Sequence, residues 1–406
     1  MKEAMITRKQ FGQTLLGGAG LLLGARPSVA QAERPPDVVR NLEIYREPGM
    51  FAGWPANHGA WQWGKEFLVG FEVGSFKQTE QGHAIDYTKP AKHVLARSLD
   101  DGDTWTIETP ASLQPPPGTR VADVPVGPGG KAVTACPGGI DFTHPGFALT
   151  ARMLDVNTGP SRFYYSYDKG HNWEGPFAIP DNRYGGMAAR TDYIVLGKHD
   201  LLLFVSVPKS DRKEGMPVVL RTKDGGKTWA VHGTIGMEPP PGEYSIMPST
   251  VRTYGTRLLT AVRHRVNLEL FESQDMGMNW ESLGNVVTAM GGNPPSLVRI
   301  PDGRVVLTYG CRVKPYGIRA KISEDFGKTW GPELRIRTDG ASWDLGYVRT
   351  LLRTDGNLQA IYYYTDAKSP ERYIGSTIWY PGDLKYSLLD KLYPNKPVEA
   401  DPKIAY

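Results

Sequence analysis

The octapeptide Ser98-Leu-Asp100-Asp-Gly102-Asp-Thr104-Trp105 decides the fold of this chain, because its pattern returns four more times. The template reads S/T-x-D-x-G-x-T/N-W, and the later copies begin at Ser166, Thr222, Ser273 and Ser323. Their first residues are separated by 68, 56, 51 and 50 positions. A repeat near fifty residues is typical of propeller blades.

The chemistry of the octapeptide is that of a tight β-hairpin turn. Its Asp can accept hydrogen bonds from backbone N–H groups further along the turn, and its Gly supplies a positive φ. Its Trp provides a large ring to bury between neighbouring sheets. Because five equivalent copies cannot form a single active site, we interpret these aspartates as structural.

The segments before each copy predict the remaining strands. Apolar runs such as Val305 to Tyr309 flank turns such as Pro301-Asp302-Gly303, a strong hairpin signal. Each unit therefore reads as a four-stranded antiparallel blade. We count six blades, at 52–110, 131–178, 185–232, 243–284, 291–334 and 343–382.

The chain is thus predicted to be all-β, a six-bladed β-propeller spanning 38–382. Residues 38–46 have strand character and would close the ring by joining the last blade. The chain contains 47 glycines and 33 prolines among its 406 residues, which is too many for a helical bundle. Residues 383–406 are expected to form a C-terminal surface tail.

Residues 1–32 have the pattern of an export signal peptide. A basic start with Lys2, Arg8 and Lys9 precedes an apolar stretch from Phe11 to Ala25, and Ala30-Gln-Ala32 follows as a cleavage pattern. Arg8-Lys9 resembles a twin-arginine motif with Lys in the second place. We expect a mature chain that begins near Glu33 and lies in the periplasm or outside the cell.

Charge and cysteine content exclude several classes. The formal net charge is +4, most of it within 1–32, and no basic stretch interleaved with aromatics indicates nucleic-acid binding. No later segment is apolar enough for a membrane span. Cys136 and Cys311 fit no zinc site and are free thiols or one long-range disulfide. We expect a monomer without cofactor or metal site.

Five such octapeptides, known as Asp-boxes or BNR repeats, on six blades resemble the sialidase (neuraminidase) superfamily. The resemblance covers roughly 45–382 and implies a glycan ligand. The superfamily also contains other glycosidases, polysaccharide lyases and non-catalytic binders, so the repeats are more specific for fold than for activity. The implied site lies opposite the Asp-boxes, near 57–58, 72–90, 243–247, 263–265, 311–319, 343–349 and 363–372.

The resemblance implies a role for each candidate residue. A sialidase uses a Tyr nucleophile assisted by a carboxylate, an Asp acid/base and an arginine cluster for the sugar carboxylate. Tyr347 matches the nucleophile, Asp86 the acid/base and Glu243 approximately the assisting carboxylate, which would fall near Met247. Further candidates for substrate binding share a place in these loops: Arg263, Arg312, Arg319, Arg349, His83 and Trp343.

One departure from the pattern keeps other activities open. Where the family has an Arg-Ile-Pro run, this chain reads Gly53-Trp-Pro-Ala-Asn-His58. His58, with His83, could transfer protons near neutral pH. The sequence therefore predicts a secreted exo-acting glycosidase of sialidase type on terminal acidic sugars. The alternatives are a rhamnosidase or uronate-cleaving lyase that uses His58, and a non-catalytic glycan-binding propeller.

Overall fold

The computed structural model describes residues 37–116, 120–121, 124–125 and 130–383. The predicted export signal and all but the first residue of the predicted C-terminal tail lie outside these residues. The first thirteen strands are β1 (Asp37–Tyr45), β2 (Met50–Gly53), β3 (Ala60–Trp63), β4 (Glu66–Ser75), β5 (Lys92–Ser98), β6 (Thr106–Glu108), β7 (Arg120–Val121), β8 (Val124–Pro125), β9 (Ala148–Met153), β10 (Ser161–Ser166), β11 (Glu174–Ile179), β12 (Ala188–Gly197) and β13 (Asp200–Pro208).

The second half of the chain has the same character. Its strands are β14 (Glu214–Thr222), β15 (Ala230–Thr234), β16 (Ile246–Tyr254), β17 (Arg257–Arg263), β18 (Leu268–Ser273), β19 (Glu281–Val287), β20 (Pro295–Arg299), β21 (Val305–Cys311), β22 (Gly317–Ser323), β23 (Leu334–Arg337), β24 (Gly346–Leu352), β25 (Leu358–Asp366) and β26 (Ser369–Tyr380). Helical structure in the described ranges comprises the turn α1 (Pro55–His58) and the 3-10 helix Ala111–Leu113.

Six antiparallel sheets follow one another along the chain as the blades of a propeller, which confirms the predicted fold. Blades three, four and five are β12 to β15, β16 to β19 and β20 to β23. Blade six is β24, β25, β26 and, at its outer edge, β1. Asp37 lies opposite Tyr380 and Tyr45 opposite Ile374, as predicted for ring closure. Closure of this kind covers an edge strand that would otherwise be open to pairing.

Blade one has an interrupted inner strand. β2 pairs with the later half of β4, β3 pairs with its earlier half, and α1 is inserted between them. The insertion begins at Trp54, whose φ of 62° turns the chain out of the strand. All four residues of α1 are buried, and the turn packs against blades two, three and six.

Blade two has three strands in the described residues, β9, β10 and β11. The segment 131–147, where an inner strand was predicted, contributes only a bridge between Thr134 and Phe177. Pro137-Gly-Gly139 and Pro145-Gly146 interrupt this segment, and both residue types disfavour continuous strand pairing.

The octapeptide turns have the geometry that their chemistry predicts. In the first copy, the Ser98 hydroxyl accepts a hydrogen bond from Gly102 N–H at 2.8 Å, and Asp100 accepts one from Thr104 N–H at 2.8 Å. Gly102 has a φ of 87°, which a residue with a Cβ rarely adopts. The Trp105 indole N–H donates to Gly102 O at 3.0 Å, so the Trp ring is hydrogen-bonded to the turn that precedes it.

The structure also bears on the cysteines and on membrane-spanning helices. Cys136 and Cys311 are both free thiols. Among the described residues, no helix has the length and apolarity needed to cross a membrane.

Candidate active site

Tyr347 begins the inner strand of blade six in a constrained backbone conformation. Its φ is 51°, and its N–H donates to Asn293 Oδ1 at 2.9 Å. The Asn293 amide also donates to Leu345 O at 2.8 Å. A left-handed tyrosine is costly, and it persists only where neighbours fix it. Asn293 therefore fixes the backbone from which the Tyr347 side chain projects, and that residue is 8% exposed.

Two guanidiniums lie against the Tyr347 side chain, and a third acts on it through its charge. Arg263 Nη1 lies 3.3 Å from the Tyr347 hydroxyl, and the Arg312 guanidinium carbon lies 5.6 Å from the ring centre. Arg190, from the inner strand of blade three, adds a third positive charge. Burial opposes ionisation of the hydroxyl, but the three guanidiniums outweigh burial and lower the pKa of Tyr347.

Each guanidinium has its own polar or aromatic partners. Arg312 donates to Tyr363 Oη at 3.0 Å and lies 5.2 Å from the Trp343 ring centre. Arg190 forms a two-pronged ion pair with Glu214. Arg263 approaches Tyr244 Oη at 3.4 Å, and its buried Nε has no hydrogen-bond partner. Since one carboxylate balances three cations, the cluster is suited to binding an anionic group.

His83 and Asp344 form a hydrogen-bonded pair beside Tyr347. The distance from His83 Nδ1 to Asp344 Oδ1 is 2.6 Å, and the His83 and Tyr347 ring centres are 6.0 Å apart. Asp344 also accepts hydrogen bonds from Tyr363 Oη at 2.7 Å and Arg372 Nε at 3.0 Å. His83 and Arg372 overcome the effect of burial and hold the pKa of Asp344 well below its usual range. A charged Asp344 fixes the imidazole and its tautomer.

The His83 ring is open on its other side. Its side chain is 22% exposed, and no hydrogen bond to Nε2 occurs among the described residues. Trp54 packs edge-on against the ring at 5.1 Å. Burial lowers the pKa of His83, and the Asp344 charge partly offsets that effect. Nε2 is therefore available to exchange a proton with a bound molecule.

No carboxylate takes the predicted place beside the Tyr347 hydroxyl. Met247 lies there, with its sulfur 3.5 Å from Arg263 Nη1. The nearby Glu243 is about half exposed and pairs with Arg265 at 3.4 Å. In the described part of the chain, no Asp or Glu hydrogen-bonds to Tyr347, so the arginines alone assist its ionisation.

Asp86 lies in the predicted loop, but its hydrogen bonds stay local. Its carboxylate accepts from the Thr88 N–H at 3.0 Å and hydroxyl at 2.6 Å. These bonds lower the pKa of Asp86 and keep it ionised. The structure thus gives Asp86 the contacts of a turn-capping residue and brings His83, three positions earlier, to Tyr347.

Arg319 and Arg349 are also placed away from the Tyr347 cluster. Arg319 is buried in blade five, where it donates to Pro315 O at 2.7 Å and pairs with Glu333 at 3.2 Å. Arg349 donates to Ala56 O at 2.6 Å and lies further along the propeller axis. Both side chains therefore support the scaffold rather than the Tyr347 site.

His58 lies on α1, sealed between blades one and two. Its side chain is 1% exposed, and its Nε2 is 3.6 Å from Glu72. Its backbone oxygen accepts hydrogen bonds from Thr150 and Thr191, each at 2.9 Å. A substrate cannot reach this ring without rearrangement of the two blades, so the structure offers His58 no catalytic contact.

Sequence reasoning missed several residues of the cluster: Arg190, Tyr244, Asp344 and Tyr363. Arg190 stands near the start of the inner strand of blade three, as Tyr347 stands at the start of the inner strand of blade six. This shared position is the signal that could have identified Arg190. Asp344 lies within 343–349, one of the ranges in which the sequence places the site. Its pairing with His83, 261 positions away, has no signal in a single sequence.

A separate cavity of about 500 Å³ lies towards the other end of the axis. It is lined by the later parts of the inner strands, including Thr250, Ser296, Arg349 and Thr350. Tyr347 and His83 do not line it. The described chemistry therefore belongs to the end of the axis opposite the octapeptide turns.

The arrangement combines an ionisable hydroxyl, a positively charged receptor and a proton-transfer group within one cluster. A molecule whose carboxylate bound the arginines would place its neighbouring atoms near Tyr347 Oη. A departing or arriving oxygen could exchange a proton with His83 Nε2. Trp343 and Trp54 provide aromatic walls of the kind that bury sugar faces.

Comparisons with known proteins give the fold. No protein-family model and no curated protein sequence matches the chain. The solved structures that match include a protein of unknown function from Dyadobacter fermentans, with 21% identity, a TM-score of 0.63 and coverage of 84% of this chain and 98% of that one. They also include the NanB sialidase of Streptococcus pneumoniae (10% identity, TM-score 0.57, coverage 87% and 71%). A third is the α-L-arabinofuranosidase Arb93A of Fusarium graminearum (15%, 0.55, 84% and 97%). At these identities the likeness establishes that the chain shares the propeller fold of these proteins.

Proposed function

We propose that this protein is a glycoside hydrolase that removes a terminal sugar carrying a carboxylate, as an exo-α-sialidase does. One observation carries the proposal: the Tyr347 hydroxyl meets Arg263, Arg312 lies over its ring, Arg190 adds a third positive charge, and the His83–Asp344 pair lies beside it. The comparisons support a carbohydrate ligand, since sialidases and an arabinofuranosidase share the fold.

The proposed reaction has two steps. In the first, Tyr347 Oη, ionised under the influence of the arginines, attacks the anomeric carbon. The bond to the leaving oxygen breaks, and His83, in its imidazolium form with Nδ1–H bonded to Asp344, donates its Nε2 proton to that oxygen and becomes neutral. In the second, a water attacks the same carbon, His83 takes the water proton, and Tyr347 departs as a phenolate. Two displacements give net retention of configuration.

A lyase acting next to a uronate is the second candidate, and the absence of a carboxylate at Met247 favours it. There the arginines would bind the uronate carboxylate, Tyr347 would remove the proton on the adjacent carbon, and His83 would protonate the departing oxygen. No water would be consumed, and an unsaturated sugar would form. This version uses His83 in place of the predicted His58, because His58 is sealed off.

The products distinguish the candidates. Acidic oligosaccharides should be incubated with the wild-type protein and with the Tyr347→Phe variant, and the products weighed by mass spectrometry. Hydrolysis adds one water to the summed product mass, whereas elimination adds none and creates an ultraviolet-absorbing double bond. Saturable binding of the oligosaccharides without any product would contradict both activities and favour a glycan-binding protein.

The site of action is proposed to be the periplasm or the cell exterior. The basis is the signal pattern of residues 1–32. The test is the N-terminal sequence of the protein recovered from each cell fraction. An exported chain that begins near Glu33 is expected, and a full-length chain retained in the cytoplasm would contradict the proposal.

A further inference from the structure

A second cluster of polar side chains is buried between blades one and two. Each member is at most 3% exposed. Blade one contributes His58, Glu72 and His93, and blade two contributes Arg152 and Arg162. We call this set the interblade cluster, and no role in the proposed reaction uses it.

Strand register explains how the cluster is assembled. Glu72 on β4 lies directly opposite His93 on β5, and Arg152 on β9 lies directly opposite Arg162 on β10. Like charges directly opposite across an antiparallel pair repel one another. No carboxylate lies within 4.0 Å of either guanidinium among the described residues, so neither is in an ion pair. The pairing therefore leaves two positive charges buried side by side.

Many polar atoms of the cluster have no hydrogen-bond partner. They are both ring nitrogens of His58, both carboxylate oxygens of Glu72, Nε and Nη2 of Arg152, and Nη2 of Arg162. Buried polar atoms are nearly always paired with protein, water or an ion. So many unpaired atoms in one place indicate that a component of the site is absent from the protein itself.

The charge of the cluster identifies the missing component. With Glu72 ionised the set carries one excess positive charge, and with Glu72 protonated it carries two. A metal cation would add to this excess, and no metal-binding group of three His, Cys, Asp or Glu side chains is present in the described ranges. Water could pair the free N–H groups but would leave the buried charge uncompensated.

We propose that the interblade cluster binds a small monovalent anion of chloride size, held by the free guanidinium nitrogens of Arg152 and Arg162. Other donors of these side chains hydrogen-bond to the protein: Arg152 Nη1 donates to His58 O at 3.1 Å, and Arg162 Nε donates to Tyr164 Oη at 3.4 Å. Those contacts fix the two guanidiniums with their free nitrogens available. The near-complete burial of all five side chains favours a small anion that has shed its water.

Thermal unfolding in matched salts tests the proposal. The purified protein should be compared in sodium chloride, sodium bromide and sodium gluconate at equal ionic strength, because gluconate is too large to enter. The expected result is a saturable rise of the unfolding midpoint by a few degrees with either halide but not with gluconate. An equal midpoint in all three salts would overturn the proposal.

Two variants locate the effect. Arg162→Gln should abolish the halide response. The matched control is Arg97→Gln, because Arg97 is a buried arginine on the same strand as His93 but is paired with Glu66 and Glu108. The control should be destabilised yet keep the full halide response. An undiminished response in Arg162→Gln would contradict the assignment.

A crystal of the wild-type protein grown in sodium bromide gives a direct answer that does not depend on either variant folding. An anomalous peak between Arg152 and Arg162 is expected. Water alone at this position, or bromide bound only elsewhere, would overturn the proposal.

Discussion

The protein contains two clusters in which histidine, arginine and a carboxylate meet, and they differ in access and in pairing. At the Tyr347 site, His83 is 22% exposed and its Nδ1 is paired with Asp344 at 2.6 Å. In the interblade cluster, His58 is 1% exposed and both its ring nitrogens lack partners. One cluster is oriented by the protein and open to a ligand, while the other is closed and incomplete.

Residue type alone therefore does not identify a catalytic histidine. His58 and His83 are equally good candidates in the sequence. Only the fold shows that the insertion of α1 buries His58 behind blade one, and that the loop after β4 carries His83 to Asp344. A proton-transfer role needs an oriented ring with one open nitrogen, which His83 has and His58 lacks.

The sharpest test of this comparison is to remove each imidazole in turn. His83→Ala should lower kcat for an acidic glycoside by about 10²–10⁴-fold, the usual contribution of a general acid. His58→Ala should leave kcat within about threefold and instead lower the unfolding midpoint. Steady-state kinetics and thermal unfolding of both variants provide the measurement. A reversed outcome, with His58→Ala inactive and His83→Ala active, would return the catalytic role to the interblade cluster.

The receptor can be tested through one of its arginines. Arg312→Lys keeps the positive charge but loses the planar fork, so KM for an acidic glycoside should rise by about 10–100-fold. Arg319→Lys is the matched control from the same blade, because Arg319 pairs with Glu333 outside the site. Its KM should stay at the wild-type value. Equal effects of the two substitutions would show that Arg312 does not bind the substrate.

The interblade cluster should impose a pH dependence on stability. Burial raises the pKa of Glu72 to about 8 from its ordinary 4.5, so folding favours the protonated carboxyl. The stability that this group contributes is complete below pH 4.5 and is lost as the pH rises towards 8. In sodium gluconate, Glu72→Gln should therefore be more stable than the wild type at pH 8, by up to about 4 kcal/mol.

Glu66→Gln is the control of opposite sign for this experiment. Burial of Glu66 is outweighed by Lys169 and Arg97, which lower its pKa. Removal of this charge should destabilise the protein at pH 8 rather than stabilise it. Denaturant unfolding at pH 5 and pH 8 measures both variants. If Glu72→Gln were no more stable than the wild type at pH 8, Glu72 would have to be paired in solution.

The smallest expected effect is a displacement of the pH profile. The Asp344 charge raises the pKa of His83 against the larger effect of burial. Asp344→Asn should lower that pKa further, so the fall in activity towards high pH should begin about one to two pH units lower. The measurement is kcat/KM between pH 4 and 8. An unchanged descending limb would mean that His83 is not the group whose protonation limits the rate.

The repeated octapeptide and the strand and turn signals were sufficient to predict the propeller and its closure by β1. The family resemblance pointed to five residues that the structure brings together, Tyr347, Arg263, Arg312, His83 and Trp343. Tyr347 stands at the start of the inner strand of blade six, and Arg263 ends the second strand of blade four. The three-stranded blade two and the insertion of α1 were not predicted. Both depend on packing between blades that no local pattern encodes.

The acid/base residue shows the limit of local reasoning. Asp86 and His83 share one loop, and the family resemblance favoured Asp86. Asp344 lies far along the chain, yet it hydrogen-bonds to the His83 ring and accepts a bond from the Ala84 N–H at 2.9 Å. These contacts orient His83, and not Asp86, towards Tyr347. The interblade cluster was invisible for the same reason, since its five members come from five separate segments of two blades.

The central claim is that the Tyr347 site cleaves acidic sugars, and turnover by the mature chain tests it most directly. Fluorogenic glycosides of N-acetylneuraminic acid and of glucuronic acid should be offered to the wild-type protein and to Tyr347→Phe, with folding of both checked by thermal unfolding. We expect turnover of an acidic glycoside by the wild type and a loss of about 10³-fold or more in the variant. Equal turnover by both proteins, or none by a folded wild type, would contradict it.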